Sequence, residues 1–379
     1  MSTGIYIHIP FCASHCHYCH FYSAVVREEV YNYYLAALLK EIANRPLSSF
    51  SDHVDSIYFG GGTPSLFGVQ RIHDVLLALR ERFAVRNTAE VTLEMNPDGI
   101  TRSDLEAYYA AGINRLSVGV QTFRDDLLQR IGRIHRAQDA RRVIKDAAHV
   151  GFKNITLDLM YGLPGQSAAD FKESLVKAVH LPITHISVYG LIVEPGTLFA
   201  RLATQGRLDL PSEETEWEMY QTMVRTLPQY GFSRYEIANF AKSGYEAVHN
   251  QKYWRYEPYI GFGAAAVSFD GNVRYSHVAD WQAYIKQIDS ARWIPQDVES
   301  IDRQTAMEEY CFLNLRRRSG ISLSSFATKF GVTLQETYGK ELQTLLEERL
   351  LYRATADTIT LTRRGAAVSN QVFTYFIRT

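Results

Sequence analysis

Three of the chain's four cysteines, Cys12, Cys16 and Cys19, fall within the segment Phe11-Cys12-Ala13-Ser14-His15-Cys16-His17-Tyr18-Cys19-His20-Phe21. Thiolates spaced C-x3-C-x2-C cannot all pair with one another as disulfides, but they can converge on one metal centre. Three cysteines on a four-iron cluster leave one iron without a protein ligand, open to a substrate or cofactor. Structural clusters and zinc knots usually use four protein ligands. The spacing therefore points to a reactive iron–sulfur site. The plainer alternatives are a Cys3His zinc tetrahedron completed by His15, His17 or His20, or three reduced structural thiols.

Six short β-branched, apolar runs are placed to carry this loop and its neighbours, at residues 4–9, 56–59, 90–93, 115–120, 155–159 and 185–189. Helical periodicity fills the gaps at 28–43, 69–82, 102–110, 137–150 and 168–178. Alternation of this kind predicts right-handed crossovers and a parallel sheet. Six units are too few for an eight-stranded barrel, so the expected fold is α/β, a partial (β/α)6 barrel. Each strand ends in a polar or glycine-rich feature. Strand one runs into the cysteine loop and strand two into Gly60-Gly61-Gly62-Thr63-Pro64-Ser65. The next four deliver Glu94 with Asn96, Gln121, Asp158 and Tyr189. The carboxyl ends of parallel barrel strands share one face, which is where active sites form.

Glycines at 60–62 would let a ligand approach backbone groups that a Cβ shields. Glu94 and Asp158 could accept from ribose hydroxyls or balance a cation, and Arg133 could bind a carboxylate as a planar fork. Singly, each is also an ordinary loop or surface residue.

Composition excludes several classes. A formal net charge of -1 gives no electrostatic bias toward nucleic acid or anionic membrane. Met1-Ser2-Thr3 leads straight into the first apolar segment without a charged leader, so no signal peptide is expected. No run approaches the roughly 20 apolar residues of a membrane span. Clustered thiols with a lone Cys311, expected as a buried structural thiol, suit a reducing compartment, and the cytoplasm is the expected location.

Together, Tyr6-Ile7-His8-Ile9-Pro10-Phe11-Cys12, the C-x3-C-x2-C-x-F spacing, the 60–65 loop, Glu94-x-Asn96-Pro97, Gly119-Val120-Gln121 and Asp158-Leu159-Met160-Tyr161-Gly162-Leu163-Pro164 resemble radical S-adenosylmethionine (SAM) proteins. More narrowly, they resemble the oxygen-independent coproporphyrinogen III oxidase group. The resemblance implies a [4Fe-4S] cluster on Cys12, Cys16 and Cys19, with the SAM amino and carboxylate groups on the fourth iron. It also implies one-electron cleavage of SAM to methionine and a 5′-deoxyadenosyl radical. SAM contacts would carry over to Tyr6, Gly61, Gly62, Thr63, Glu94, Gln121, Arg133 and Asp158, with Tyr18 and Ile192 at weaker positions.

Within that group the chain looks more like the HemW-type haem-chaperone family than the oxidase. The oxidase has an extension before the cluster loop and a fourth cysteine two residues after the third, where this chain has Phe21. The chaperone family carries His-Asn-x-x-Tyr-Trp, here His249-Asn250-Gln251-Lys252-Tyr253-Trp254. That resemblance implies haem b as cargo, His249 as a candidate axial ligand, and an apo-haemoprotein as acceptor. Lys252, Arg234 and Arg255 are the nearby cations for propionates, or else a solvated rim. Relatives read Gly-x-Gly-Ala-x-Ala-His-Ser downstream, whereas this chain has Val267 in place of the histidine. The alternative function is radical decarboxylation of coproporphyrinogen III propionates.

From about residue 302 helices at 303–317, 323–329 and 334–348, a hairpin at 351–361 and a final helix at 364–376 suggest a winged-helix-like α+β domain. Its candidate recognition helix carries Glu336, Glu341, Glu347 and Glu348 against Lys340, a poor face for phosphates, so no nucleic-acid partner is expected. The expected organisation is a radical SAM barrel over 1–210, an α/β extension over 211–300 and the C-terminal domain over 301–379. Peripheral membrane contact and homodimerisation stay open.

Overall fold

The computed structural model describes residues 2–46, 49–291 and 294–378; Met1, part of the amino-terminal reading above, lies outside them. Strands β1 (Thr3–Ile9), β2 (His53–Gly61), β3 (Ala84–Met95), β4 (Arg115–Gln121), β5 (Asn154–Tyr161) and β6 (His185–Gly190) stand side by side in chain order, each parallel to the next. The helices that return the chain are α1 (Glu29–Asn44), α2 (Val69–Arg82), α3 (Arg102–Ala111), α4 (Asp125–Arg130) with α5 (Ala137–Val150), and α6 (Ala168–Val179). Capping boxes at Thr101 and Ser167 start α3 and α6, and Gly112 in the left-handed region ends α3. All six predicted strands form, each of them longer than its apolar run.

Side chains in a strand alternate between its two faces, and here the two faces differ in chemistry. Ile5, Ile7, Ile57, Phe59, Leu93, Leu116, Val118, Leu157 and Ile186 belong to the buried core shared with the helices. Their neighbours Tyr58, Glu94, Ser117, Asp158, Ser187 and Tyr189 line an interior cavity instead. The partial barrel therefore has an oily outer face and a polar lumen.

Beyond β6 the chain forms α7 (Leu198–Thr204), α8 (Glu213–Thr226), β7 (Ser233–Arg234), β8 (Asn239–Ala241), α9 (Val248–Trp254), β9 (Tyr259–Phe262), β10 (Val267–Phe269), β11 (Val273–Ser276), α10 (Trp281–Asp289) and β12 (Gln296–Ser300). These strands extend the same sheet at both edges: β8 pairs antiparallel with β6, and β9 pairs parallel with β1. The buried pair of Glu41 in α1 and Arg45 just past its end ties this far edge down, Glu41 accepting from the Gly263 amide and the Tyr284 hydroxyl.

The C-terminal part comprises α11 (Arg303–Arg316), β13 (Ile321–Ser322), α12 (Leu323–Phe330), α13 (Leu334–Glu347), β14 (Leu351–Thr355), β15 (Thr358–Leu361), α14 (Arg363–Ala367) and α15 (Ser369–Thr374). It has its own core, with Cys311 fully buried in it, and that core also takes in Tyr256 and Phe269. Two details differ from the sequence reading. The wing is three-stranded, because β13 pairs with β15. The final helix is two, because Val368 at φ -115°, ψ 32° breaks it.

Candidate functional site

The cysteine loop leaves β1 and is pinned at both ends. Cys12 N–H donates to Ala24 O (3.0 Å) and Ala24 N–H to Pro10 O (2.7 Å). His17 N–H donates to Ile131 O (3.1 Å), its Nδ1 stands 2.9 Å from Arg130 O, and Phe199 N–H donates to His17 O (3.0 Å). The loop is thereby held against the β2 glycines on one side and the segment after β4 on the other. Gly62 N–H donates to Ile9 O (2.9 Å), and a Cβ on Gly62 would meet Phe11 O at 2.6 Å. Only glycine allows this closeness.

The cavity beneath the loop has a volume of about 470 Å³. Cys12, Cys16, Cys19, Tyr18, Gly61, Gly62, Thr63, Glu94, Gln121, Arg133, Asp158 and Ile192 all line it. Thr63 Oγ1 lies 3.6 Å from Cys12 Sγ and accepts from Asn96 Nδ2 at 3.1 Å. The Arg133 guanidinium donates to Asn96 Oδ1 (2.5 Å) and to the Tyr18 hydroxyl (2.8 Å). Its Nε is buried without a partner, a donor left over for a ligand. Gln121 sits at φ 67°, next to a register shift after Gly119, a backbone strain of the kind that re-aims a side chain at functional sites.

Two carboxylates occupy the lumen. Glu94 accepts from the Tyr58 hydroxyl (2.5 Å), yet burial and the nearby Asp158 push its pKa up to about 7. Burial likewise raises Asp158, against hydrogen bonds from Ser187 and from Ser117 at 3.2 Å. Burial raises the Cys16 and Cys19 thiols, with Arg133 pulling the other way. Among the described residues no three His, Cys, Asp or Glu side chains converge closely enough to clasp one metal ion. Three thiolates from one loop are the soft donor set that an iron–sulfur cluster takes.

Two predicted site residues lie elsewhere. Tyr6 does not line the cavity; it stacks on Tyr58 and His249 below it, with its hydroxyl 3.1 Å from His8 Nδ1. His249 is 1% exposed, its Nδ1 3.0 Å from Ser56 Oγ and its Nε2 2.8 Å from the Tyr253 hydroxyl. Burial, then Lys252, lowers its pKa to about 3. Both ring nitrogens are taken, so this geometry corrects the axial-ligand reading: His249 packs the barrel interior and props Tyr58. Two of the three propionate candidates are corrected too. Lys252 is buried against Asp55 and Glu257, and Arg234 is bonded to the carbonyls of Glu236 and Ile237. Val267 lies on β10, away from the cavity.

Tyr58, Ser117 and Ser187 went unrecognised in the sequence. Their signal is there in the period of two: Tyr58 shares a face with Ser56 and Gly60, and Ser117 with Gly119.

A parallel (β/α)6 partial barrel that brings three free cysteines and a glycine loop to one mouth defines a radical SAM protein. The Radical SAM superfamily model matches residues 6–178, and the HemN C-terminal domain model matches 301–368. Heme chaperone HemW of Bacillus subtilis is 38% identical over 98% of both chains, and that of Lactococcus lactis is 33% identical over 99% of this chain and 97% of its own. The chain belongs to the HemW heme-chaperone family of radical SAM proteins. Its fold is also that of the Escherichia coli coproporphyrinogen III oxidase HemN, with TM-score 0.86, 24% identity and coverage of 99% and 90%. Membership of the superfamily implies a [4Fe-4S] cluster and SAM.

Proposed function

We propose that the protein binds haem and hands it to an apo-haemoprotein, with a [4Fe-4S] cluster and SAM held in the barrel cavity. Cys12, Cys16 and Cys19 would hold the cluster, which when reduced supplies one electron to the SAM sulfonium. Arg133, with its unpartnered Nε, would face the SAM carboxylate, and Gly61 and Gly62 offer backbone groups to its amine. Glu94 and Asp158 would meet the ribose hydroxyls or the sulfonium.

The single observation that carries the haem reading is the rim of this cavity. Phe21, Ile134, Tyr189 and Ile192 line it and are 63%, 59%, 43% and 68% exposed. Exposed apolar residues gathered at one mouth mark a binding surface, and a flat apolar macrocycle fits it. The exposed imidazoles this rim offers to iron are His15 and His20, the latter stacked on Phe21 at 4.9 Å. No helix among the described residues is long and apolar enough to cross a membrane, and the free cysteines suit a reducing compartment, which supports a cytoplasmic setting.

An anaerobic haem titration followed by mixing with apomyoglobin tests this. Saturation near one haem per chain and transfer to apomyoglobin are expected. A linear, unsaturable titration would refute the proposal.

A further inference from the structure

A second cavity, of about 280 Å³, opens between the antiparallel edge of the barrel sheet and the C-terminal domain. Residues of β8 and the stretch before it face the end of α11 and strand β15 across it. Five guanidinium groups line it, from Arg234, Arg316, Arg317, Arg318 and Arg363, and Glu236 is its one carboxylate.

Arg234 is occupied by main-chain carbonyls and the Tyr220 hydroxyl. The other four have no carboxylate within ion-pair distance among the described residues. The Arg316 guanidinium lies 4.5 Å over the Trp254 ring, and its Nε is buried without a partner. Burial, and then Arg255, push Arg317 down to about 10. Glu236 offsets Arg316 and Glu257 offsets Arg317 only in part, so the cleft keeps an excess of positive charge that an entering anion would balance. Guanidinium forks match carboxylates bidentately. The remaining wall is apolar, including Ile237, Phe240, Leu315 and Leu361. Its complement is a ligand with an apolar body and acidic arms.

We propose that this cleft is an anion site that takes the carboxylates of an apolar dianion; resting on the haem reading above, these are the haem propionates. α9 ends at Trp254, whose ring packs against Arg316, so these two side chains would join that helix to the ligand from outside the barrel. Haem carriage would then use the C-terminal domain as well as the barrel mouth.

The test compares the full-length protein with the double variant Arg318→Glu/Arg363→Glu. Both side chains are exposed, and folding is checked by circular dichroism. Each is titrated with haem, with haem dimethyl ester, which lacks only the two acids, and with inorganic pyrophosphate. Charge-assisted hydrogen bonds of ordinary strength predict about tenfold or greater loss of haem affinity in the variant. The ester should bind both proteins equally and more weakly than haem binds the unaltered protein. Equal haem affinity in both proteins would overturn the propionate assignment. If the unaltered protein binds no haem, the haem reading falls separately, and pyrophosphate decides the cleft. Binding lost in the variant sustains an anion site, and no binding by either protein removes it.

Discussion

Glu94 sits where a cationic cofactor would balance it, and without one it is a buried carboxyl with a pKa near 7. Its folded value exceeds the ordinary 4.5, so the native state holds a proton that the unfolded chain has lost. Stability of the cofactor-free protein should therefore fall as pH rises from about 4.5 toward 7, and level off above. Glu94→Gln should flatten that decline, readable as Tm against pH; an identical slope in the variant would place the titration elsewhere. His249 gives the opposite lesson. Truncating a buried ring that holds Ser56 and Tyr253 leaves a void and two unpaired hydroxyls. His249→Ala should cost about 2–4 kcal/mol in denaturant unfolding while leaving the haem spectrum unchanged. A shifted spectrum at full stability would restore the ligand role. Residue types and spacing made the cysteines, glycines, Glu94, Arg133 and Asp158 legible. They could not reveal that a histidine among aromatics points inward, because that depends on α9 folding back against the central strands β1 and β2.

At the scale of elements, the strand ends were legible because each carries a polar group just past its apolar run. The polar lumen follows from the same strands: Arg115, Ser117 and Gly119 alternate with Leu116, Val118 and Val120. Attention to the apolar half alone concealed Tyr58 and the serines. The tight crossing of β2 over the cysteine loop was less visible, since a triple glycine also reads as a plain turn. Gly62→Ala forces a Cβ to within 2.6 Å of Phe11 O, so the loop must move. Iron incorporation on anaerobic reconstitution should drop severalfold, with a stability loss of about 1–3 kcal/mol. Full iron content in this variant would show that the loop tolerates displacement.

Across the whole molecule, sequence periodicity separated barrel from C-terminal helices but missed how they join. The segment after β6 has short strands with weak patterns, and their addition to opposite sheet edges is a long-range pairing no local signal encodes. The second core spans the expected boundary near residue 301, since it includes Tyr256 and Phe269. A chain ending at residue 300 would leave both aromatics uncovered. It should melt lower and bind a hydrophobic dye, and a truncation as stable as the whole would contradict this shared core. The central claim is that a radical SAM barrel here serves haem carriage and not porphyrinogen decarboxylation. Its most direct test incubates reconstituted, reduced protein with SAM and coproporphyrinogen III anaerobically, beside a haem titration of the same preparation. Saturable haem binding without protoporphyrinogen IX is the predicted result; catalytic formation of protoporphyrinogen IX would contradict it.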